Sequence, residues 1–290
     1  MSLIHNATFN SQTRVLSLLD KAGNVISSCE VPSKELVDDP NKPLMLRAIE
    51  DGSSVTLVKG GTLSNTYQTS TNGKDWTDYT FRTQISLNKG ESVYFRCSNH
   101  PTPQSGSNYV RFYMSGKIEA WHNAYSMISS SFTDTSASVG RYGMFILFYC
   151  KGLTKAPLLL NALAEHCYDG LFYQCRDLKQ APSLPATTLA DGCYDGMFAG
   201  CRYLKQAPSL PATTLADGCY KGMFAGCQSL KEVRISATTT APNALDNWLD
   251  GVSATGDFYC DPNATIFPSG KSGIPANWTR HALSDYPVTP

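Results

Sequence analysis

The segment CYDGMFAGCRYLKQAPSLPATTLADG spans residues 193–218, and near copies of it stand on both sides in the chain. Cysteine, phenylalanine and leucine recur through these copies at a step of 26 residues. A fixed period of about 20–50 residues is typical of stacked supersecondary units, each of which buries its apolar side only against a neighbour. The period therefore predicts a solenoid for the second half of the chain. The positions predicted to form its repeat core are Cys167, Phe172, Cys175, Leu178, Cys193, Phe198, Cys201, Leu204, Cys219, Phe224, Cys227 and Leu230.

Each repeat has two halves with different local preferences. Tyr194, Phe198 and Cys201 stand at helical spacing, which predicts a short helix with one apolar stripe. Pro208 and Pro211 follow, and because proline lacks an N–H and fixes φ, they favour a short extended segment. One repeat is therefore predicted to be a short helix, a short strand and a proline-bounded turn.

The six repeat cysteines are spaced as Cys-x7-Cys, whereas zinc sites use pairs separated by about two to four residues. The first interpretation is that they form columns of small, buried, free thiols. Disulfides are the second interpretation and a metal site is the third. We accordingly expect no metal site and no cofactor.

The string CYDGMFAGCRYLKQAPSLPATTLADGCYKGMFAGCQSLKEV resembles the leucine-rich repeats of the BspA-like type, and the resemblance covers residues 142–265. This repeat type is common in surface proteins of gut Bacteroidales and of the phages that infect them. The resemblance implies interior Phe and Cys columns, a right-handed solenoid with a short-stranded sheet, and a binding role such as that of an adhesin, without a catalytic site. Residues 43–120, through PLMLRAIEDGSSVTLVKGG and LNKGESVYFRC, are similar to the β-sandwich domain that often precedes these repeats.

The charge and hydropathy of the whole chain of 290 residues exclude some classes of partner. Lysine and arginine number 24, and aspartate and glutamate also number 24, so the formal net charge is zero. This balance predicts no general attraction to nucleic acid or to an anionic membrane. No run of 18 apolar residues exists, and we therefore expect no membrane span.

Residues 1–42 are predicted to be an N-terminal β-hairpin or anchoring segment followed by a linker. Arg14–Leu19 and Val25–Val31 are the predicted strands, around a turn at Lys21–Asn24. The stretch ATFNSQTRVLSLLDKAGNVISSCEVPS is similar to the start of structural proteins in gut bacteriophages, where such a segment attaches the rest to the virion. The simpler interpretation is a first hairpin of the following domain. No apolar signal segment follows Met1, which predicts either a trimmed export signal or assembly in the cytoplasm.

The rest of the chain divides by its pattern. Short strand-like segments separated by turns fill 43–120 and predict an antiparallel β-sandwich. Residues 121–141 are predicted to join the domains and cap the solenoid, 142–250 to hold the leucine-rich repeats, and 251–290 to form a C-terminal cap and tail. The predicted fold class is therefore α+β multidomain, with a β-hairpin and a β-sandwich followed by a capped leucine-rich-repeat solenoid.

The sequence offers a binding surface more readily than a catalytic site. No histidine stands at a catalytic spacing, and no nucleophile, zinc-protease or phosphate-loop motif is present, so no catalytic residue is predicted. Residues that alternate with core positions on short strands form exposed columns, which suit an extended glycan or protein. Ordinary solvated surface is the alternative. The predicted binding residues are Lys179, Gln180, Lys205, Gln206, Lys231, Glu232 and Arg234.

These observations predict a non-enzymatic binding protein displayed on a surface. The first placement is a bacteriophage virion, as a tail or head fibre or accessory protein that attaches to a host-surface glycan or protein. Residues 1–37 would then contact other virion structural proteins, and the chain would form a homo-oligomer, as fibre proteins commonly do. The alternatives are a BspA-like adhesin on the bacterial cell surface and an accessory protein of a carbohydrate-active enzyme.

Overall fold

The computed structural model describes residues 6–10, 15–19, 22, 25–30, 36–64, 66–99, 109–129, 146–161 and 163–286. The chain divides into two compact units, Met1–Val37 and Asp38–Pro290. Most of the predicted turn at 21–24, residues 130–141 of the predicted junction, and the tail at 287–290 lie outside the described residues.

The first unit contains a three-stranded antiparallel sheet in the order β1-β2-β3. Its strands are β1 (Asn6–Asn10), β2 (Val15–Leu19) and β3 (Val25–Glu30). β2 and β3 occupy the positions predicted for the two hairpin strands, and a β-bulge interrupts their register between Leu18 and Leu19. β1 is a third strand that the sequence pattern did not indicate.

The second unit begins with two sheets that pack face to face. The strands are β4 (Met45–Ala48), β5 (Ser53–Gly60), β6 (Tyr67–Ser70), β7 (Thr77–Asp78), β8 (Gln84–Leu87), β9 (Ser92–Cys97), β10 (Tyr109–Ser115), β11 (Ile118–Trp121) and β12 (Leu153–Lys155). One sheet has the order β10-β5-β8 and the other β12-β11-β4-β9-β6-β7. Only the β11–β12 pair is parallel.

Alternation along the strands explains why these sheets share a core. In β5, Val55 and Leu57 point inward and are fully buried, while the alternating residues Ser54, Thr56 and Val58 are partly exposed. Across the interface, the rings of Phe95 and Phe112 meet edge to face with their centroids 4.9 Å apart. The Tyr79 hydroxyl accepts a hydrogen bond of 3.0 Å from the Leu57 N–H, so the polar end of this buried ring is also satisfied.

A buried ion pair fixes the start of this unit to its centre. The Lys155 ammonium lies 2.6 Å from an Asp38 carboxylate oxygen and 3.8 Å from the centroid of the Trp121 ring. The same carboxylate accepts a hydrogen bond of 2.7 Å from the His122 N–H. Lys155 is 7% exposed, so its charge depends on these partners rather than on water.

The prediction of an α+β chain that ends in a capped leucine-rich-repeat solenoid is wrong. The structure is nearly all-β, with 31% strand in several small sheets; among the residues it describes there is no helix of seven or more residues and no solenoid. The predicted helices fail for a local reason. Gly192, Gly196 and Gly200 have φ of 59°, 57° and 77°, and a left-handed residue at every fourth position breaks the run of helical dihedrals. Only 3₁₀ turns occur in the described chain, at Ala124–Met127 and Leu283–Asp285.

Turns replace the predicted helices, and the repeats lie over one another through them. The Tyr194 N–H donates to the Cys219 carbonyl at 3.0 Å, and the Phe198 N–H donates to the Met223 carbonyl at 2.9 Å. Strands in this part are short. They are β13 (Thr214–Leu215), β14 (Glu232–Arg234), β15 (Thr239–Thr240), β16 (Gly256–Cys260) and β17 (Trp278–Ala282). β13 pairs with β15, and β14, β16 and β17 form a parallel sheet, so the described part of the predicted cap, residues 251–286, contributes the strands β16 and β17.

Like residues of successive repeats stack in the interior. The Phe172 ring lies 5.5 Å from that of Phe198, and the Tyr168 ring lies 5.9 Å from that of Tyr194. The Cys201 thiol donates to the Phe172 carbonyl at 3.1 Å, which satisfies both buried groups. All twelve residues assigned to the repeat core from the sequence are fully buried. The side chains of nine cysteines are described, and all nine are buried free thiols.

Candidate functional site

Three of the predicted binding residues occupy equivalent places in successive repeats and form a basic column: Lys179, Lys205 and Lys231. The Lys179 N–H donates to the Thr154 carbonyl at 2.9 Å, and the Lys231 N–H donates to the Lys205 carbonyl at the same distance. All three side chains are exposed, because they flank buried leucines at the points where the turns become extended.

Two of these lysines line an open groove with a cavity volume of about 720 Å³. The groove lies where the loop after β4 and the hairpin before β11 meet the repeats. Lys231, one repeat further along, is outside it. The groove is lined by Ile49, Lys117, Thr154, Asp177, Lys179, Tyr203 and Lys205, and is called the lysine groove below.

The lysine groove has an excess of positive charge. Lys117 forms an ion pair of 2.6 Å with Asp177. Lys179 and Lys205 have no carboxylate within 4.0 Å among the residues that the structure describes. Three lysines against one aspartate leave a net charge of +2 on the lining, although the whole chain is neutral. Water-exposed ammonium groups in a concave surface attract anions, and the attraction weakens with salt.

An exposed aromatic ring stands beside these charges. Tyr203 is 55% exposed, one of the few large apolar side chains left in solvent. Its N–H donates to the Arg176 carbonyl at 3.2 Å, which holds the backbone in place while the ring lines the groove. A ring in this position offers a flat apolar contact next to two cations, the combination that orients ligands in mixed polar pockets.

The remaining predicted binding residues lie in the neighbouring column. Gln180 bridges to Lys155 and Gln206 bridges to Glu232 through parallel backbone pairs. Tyr286, which directly follows the 3₁₀ turn at Leu283–Asp285, covers part of this column. Its hydroxyl donates to a Glu232 carboxylate oxygen at 2.7 Å.

Tyr286 joins several side chains into one network. The Gln206 side-chain amide donates to the Tyr286 hydroxyl at 2.7 Å and also to Glu232. The Arg234 guanidinium lies over the Tyr286 ring, 4.6 Å from its centroid. Partial burial, followed by the Glu232 carboxylate, raises the pKa of Tyr286. These polar groups satisfy one another, and this part of the predicted surface is therefore less open to a ligand than the lysine groove.

A second polar cluster lies at the turns of the repeats. The His166 ring nitrogen Nδ1 is 3.6 Å from an Asp169 carboxylate oxygen, and Lys221 is 4.0 Å from Asp195. Burial, then the nearby Asp195 charge, raises the pKa of Asp169 to about 6. Among the described residues, no group of three or more His, Cys, Asp or Glu side chains is arranged to hold a metal ion.

The sequence pattern did not indicate four residues of this surface: Lys117, Asp177, Tyr203 and Tyr286. Lys117 lies 60 residues before its partner Asp177, and no motif links them. Tyr203 does carry a signal in the sequence. It follows Cys201 by two residues, and the equivalent positions of the neighbouring repeats hold Asp177 and Ser229, which are not aromatic. A break in an otherwise regular repeat is the pattern that could have indicated it.

Comparisons of the chain with protein-family models, with curated proteins and with solved structures found no match. The resemblance to BspA-like surface proteins stays a prediction. No helix in the described parts of the chain has both the length and the apolar character needed to cross a membrane.

Proposed function

We propose that this chain is a non-enzymatic binding protein displayed on a surface and that the lysine groove holds its ligand. The observation that carries the proposal is the pairing of two exposed lysines, Lys179 and Lys205, with the exposed Tyr203 ring in one concave surface. Backbone hydrogen bonds between repeats hold the residues that line the groove, such as the bonds from the Lys179 and Tyr203 N–H groups. The backbone of the groove therefore loses little conformational entropy when a ligand binds.

Placement on a bacteriophage virion is the second part of the proposal. The first unit, residues 1–37, contains a small antiparallel sheet and clusters separately from the rest of the chain. Three strands are near the minimum for independent stability, and association with other chains would bury their remaining faces. We propose that this unit contacts other virion structural proteins and copies of itself, while the second unit faces a host-surface glycan or protein.

The groove is tested with arrays of glycans and of extracellular proteins, probed with the tagged full chain. A K179Q/K205Q variant is the test protein, and K231Q is the matched control, because Lys231 belongs to the same column but lies outside the groove. We expect the double variant to lose the array signal and K231Q to keep it. A signal that all three proteins share would contradict the assignment of the groove.

The virion placement is tested by the mass in solution of the full chain and of a chain lacking residues 1–37. The cut must leave Asp38, because its carboxylate pairs with the buried Lys155. We expect an oligomer for the full chain and a monomer with an unchanged circular dichroism spectrum for the truncated one. Two monomers would favour the bacterial cell-surface adhesin instead.

A further inference from the structure

We infer that the ligand of the lysine groove is an acidic glycan, a chain of sugars that carry carboxylates. The inference rests on the proposed function and names the ligand class for the same groove. It starts from the charge of the lining, where Lys179 and Lys205 have no carboxylate partner in the described chain while Lys117 is neutralised by Asp177. Two unneutralised ammonium groups call for a ligand with more than one negative charge.

The aromatic ring decides between kinds of anion. Tyr203 is 55% exposed in the groove, and a small inorganic anion would gain nothing from its apolar face. A sugar ring has one face of C–H groups that can lie on an aromatic ring, and its hydroxyls stay free for polar partners. Ring and cations together therefore favour a ligand that is both flat and charged.

The spacing of the lysines favours a repeating ligand. Lys179 and Lys205 occupy equivalent positions of adjacent repeats, and the stacked rings of these two repeats lie 5.5 and 5.9 Å apart in the interior. This step is similar to the length of one sugar unit, so charges borne by successive or alternate sugars can reach both ammonium groups on their flexible stems.

An acidic peptide is the competing occupant, and the groove suits it less well. Extended peptides commonly gain affinity by pairing with an exposed strand edge. The groove contains one residue of an edge strand, Thr154 of β12, and its carbonyl already accepts a hydrogen bond of 2.9 Å from the Lys179 N–H. The Thr154 hydroxyl donates to the Ile118 carbonyl at 3.1 Å, and Asp177 is paired with Lys117, which leaves Lys179, Lys205 and the Tyr203 ring for a ligand.

The test is isothermal titration of the full chain with oligogalacturonate, with the methyl ester of the same oligosaccharide, and with poly-glutamate. We expect binding of the free acid only, weakened about tenfold in K179Q/K205Q and in Y203A, and unchanged in K231Q. Raising the salt from about 0.05 to about 1 M is expected to abolish it, because the screening length falls to about 3 Å.

Three outcomes would overturn the inference. They are equal binding of the methyl ester, equal binding of poly-glutamate, and no binding of any of the three probes. If the arrays still show a signal that depends on Lys179 and Lys205, the proposed function stands and only the ligand class is wrong. If the substitutions change neither the array signal nor the titrations, the assignment of the lysine groove as the ligand-binding site is wrong.

Discussion

The rings of Phe198 and Phe224 lie with their centroids 5.5 Å apart and their planes 3° from parallel. Phe172 lies on the other side of Phe198 at the same distance. Each ring is therefore packed against its own copies, and the period of 26 residues in the sequence becomes a contact in space. A residue in the middle of such a column supports both neighbours at once, and this position is where the packing is most sensitive to substitution.

Replacement of Phe198 by alanine is expected to lower the free energy of unfolding by about 3–5 kcal/mol. The substitution leaves a cavity between the rings of Phe172 and Phe224, and the packing of the neighbouring repeats prevents these rings from moving together to fill it. Urea unfolding followed by circular dichroism measures the change. Y203A is the control, since Tyr203 is 55% exposed and its removal is expected to cost less than about 1 kcal/mol. Equal losses in the two variants would show that the column does not stabilise the fold.

The sequence indicated where strands and stacked repeat residues lie in the chain better than it indicated the backbone conformation of the repeats. Short strands fill the region 43–120 in which they were predicted, because alternation of buried and exposed residues has a direct physical cause in the pleat. The repeat period placed like residues together for the same kind of reason. The helical spacing of Tyr194, Phe198 and Cys201 was misleading, since the intervening Gly196 and Gly200 adopt positive φ and convert the segment into turns.

The lysine groove could be predicted only in part. Lys179 and Lys205 follow from the repeat register, but Ile49 and Lys117 reach the groove from loops far away in sequence, after β4 and before β11. Glu232 is one of the predicted binding residues, and no sequence pattern indicated that it accepts a hydrogen bond from Tyr286, 54 residues later. Contacts between segments without a shared repeat or motif depend on how the loops pack, which local patterns do not encode.

The buried thiols lead to a prediction about reactivity. Burial raises the pKa of Cys227 to about 12 and that of Cys167 to about 11, so almost no thiolate is present near neutral pH. In a C29S variant at pH 8, we expect a thiol reagent such as DTNB to label none of the nine remaining cysteines in the native protein and all nine in denaturant. Rapid labelling of a native repeat cysteine would contradict the buried columns.

The Asp38–Lys155 ion pair gives a second stability prediction. D38A leaves the Lys155 ammonium, 9% exposed at its side chain, without its carboxylate, and is expected to cost about 3 kcal/mol. Adding K155M removes the stranded charge and should recover part of that loss. D39A is the matched control, because Asp39 pairs with the exposed Lys42 at 3.5 Å and should cost about 1 kcal/mol or less. Urea unfolding of the wild type, D38A, D38A/K155M and D39A measures these differences in the free energy of unfolding. If the double variant is no more stable than D38A, the cost of D38A does not come from the buried charge.

Asp169 makes stability depend on pH in a direction that can be derived. Its pKa is raised from 3.8 to about 6, chiefly by burial and then by Asp195. The folded state therefore holds this proton more tightly than the unfolded state does. The contribution of this group to the free energy of unfolding is fully present below about pH 4 and is lost as the pH rises through about 6. At higher pH, Asp169 causes no further change in the free energy of unfolding. His166, with Nδ1 3.6 Å from the carboxylate, and Lys221 act in the opposite sense without cancelling the shift.

The D169N substitution removes the titrating group and should flatten this part of the pH profile. Denaturation midpoints measured between about pH 4 and about pH 7 are expected to fall with rising pH in the wild type and to fall less in D169N, with Asp195 supplying the remainder, because burial raises its pKa too. D246N is the control, since Asp246 lies further along the same column, where the Gly222 N–H donates to its carbonyl at 2.8 Å. We expect D246N to keep the wild-type slope. Identical slopes for D169N and the wild type would mean that another group carries the proton uptake, because the substitution eliminates the Asp169 carboxyl and leaves the rest of the column in place.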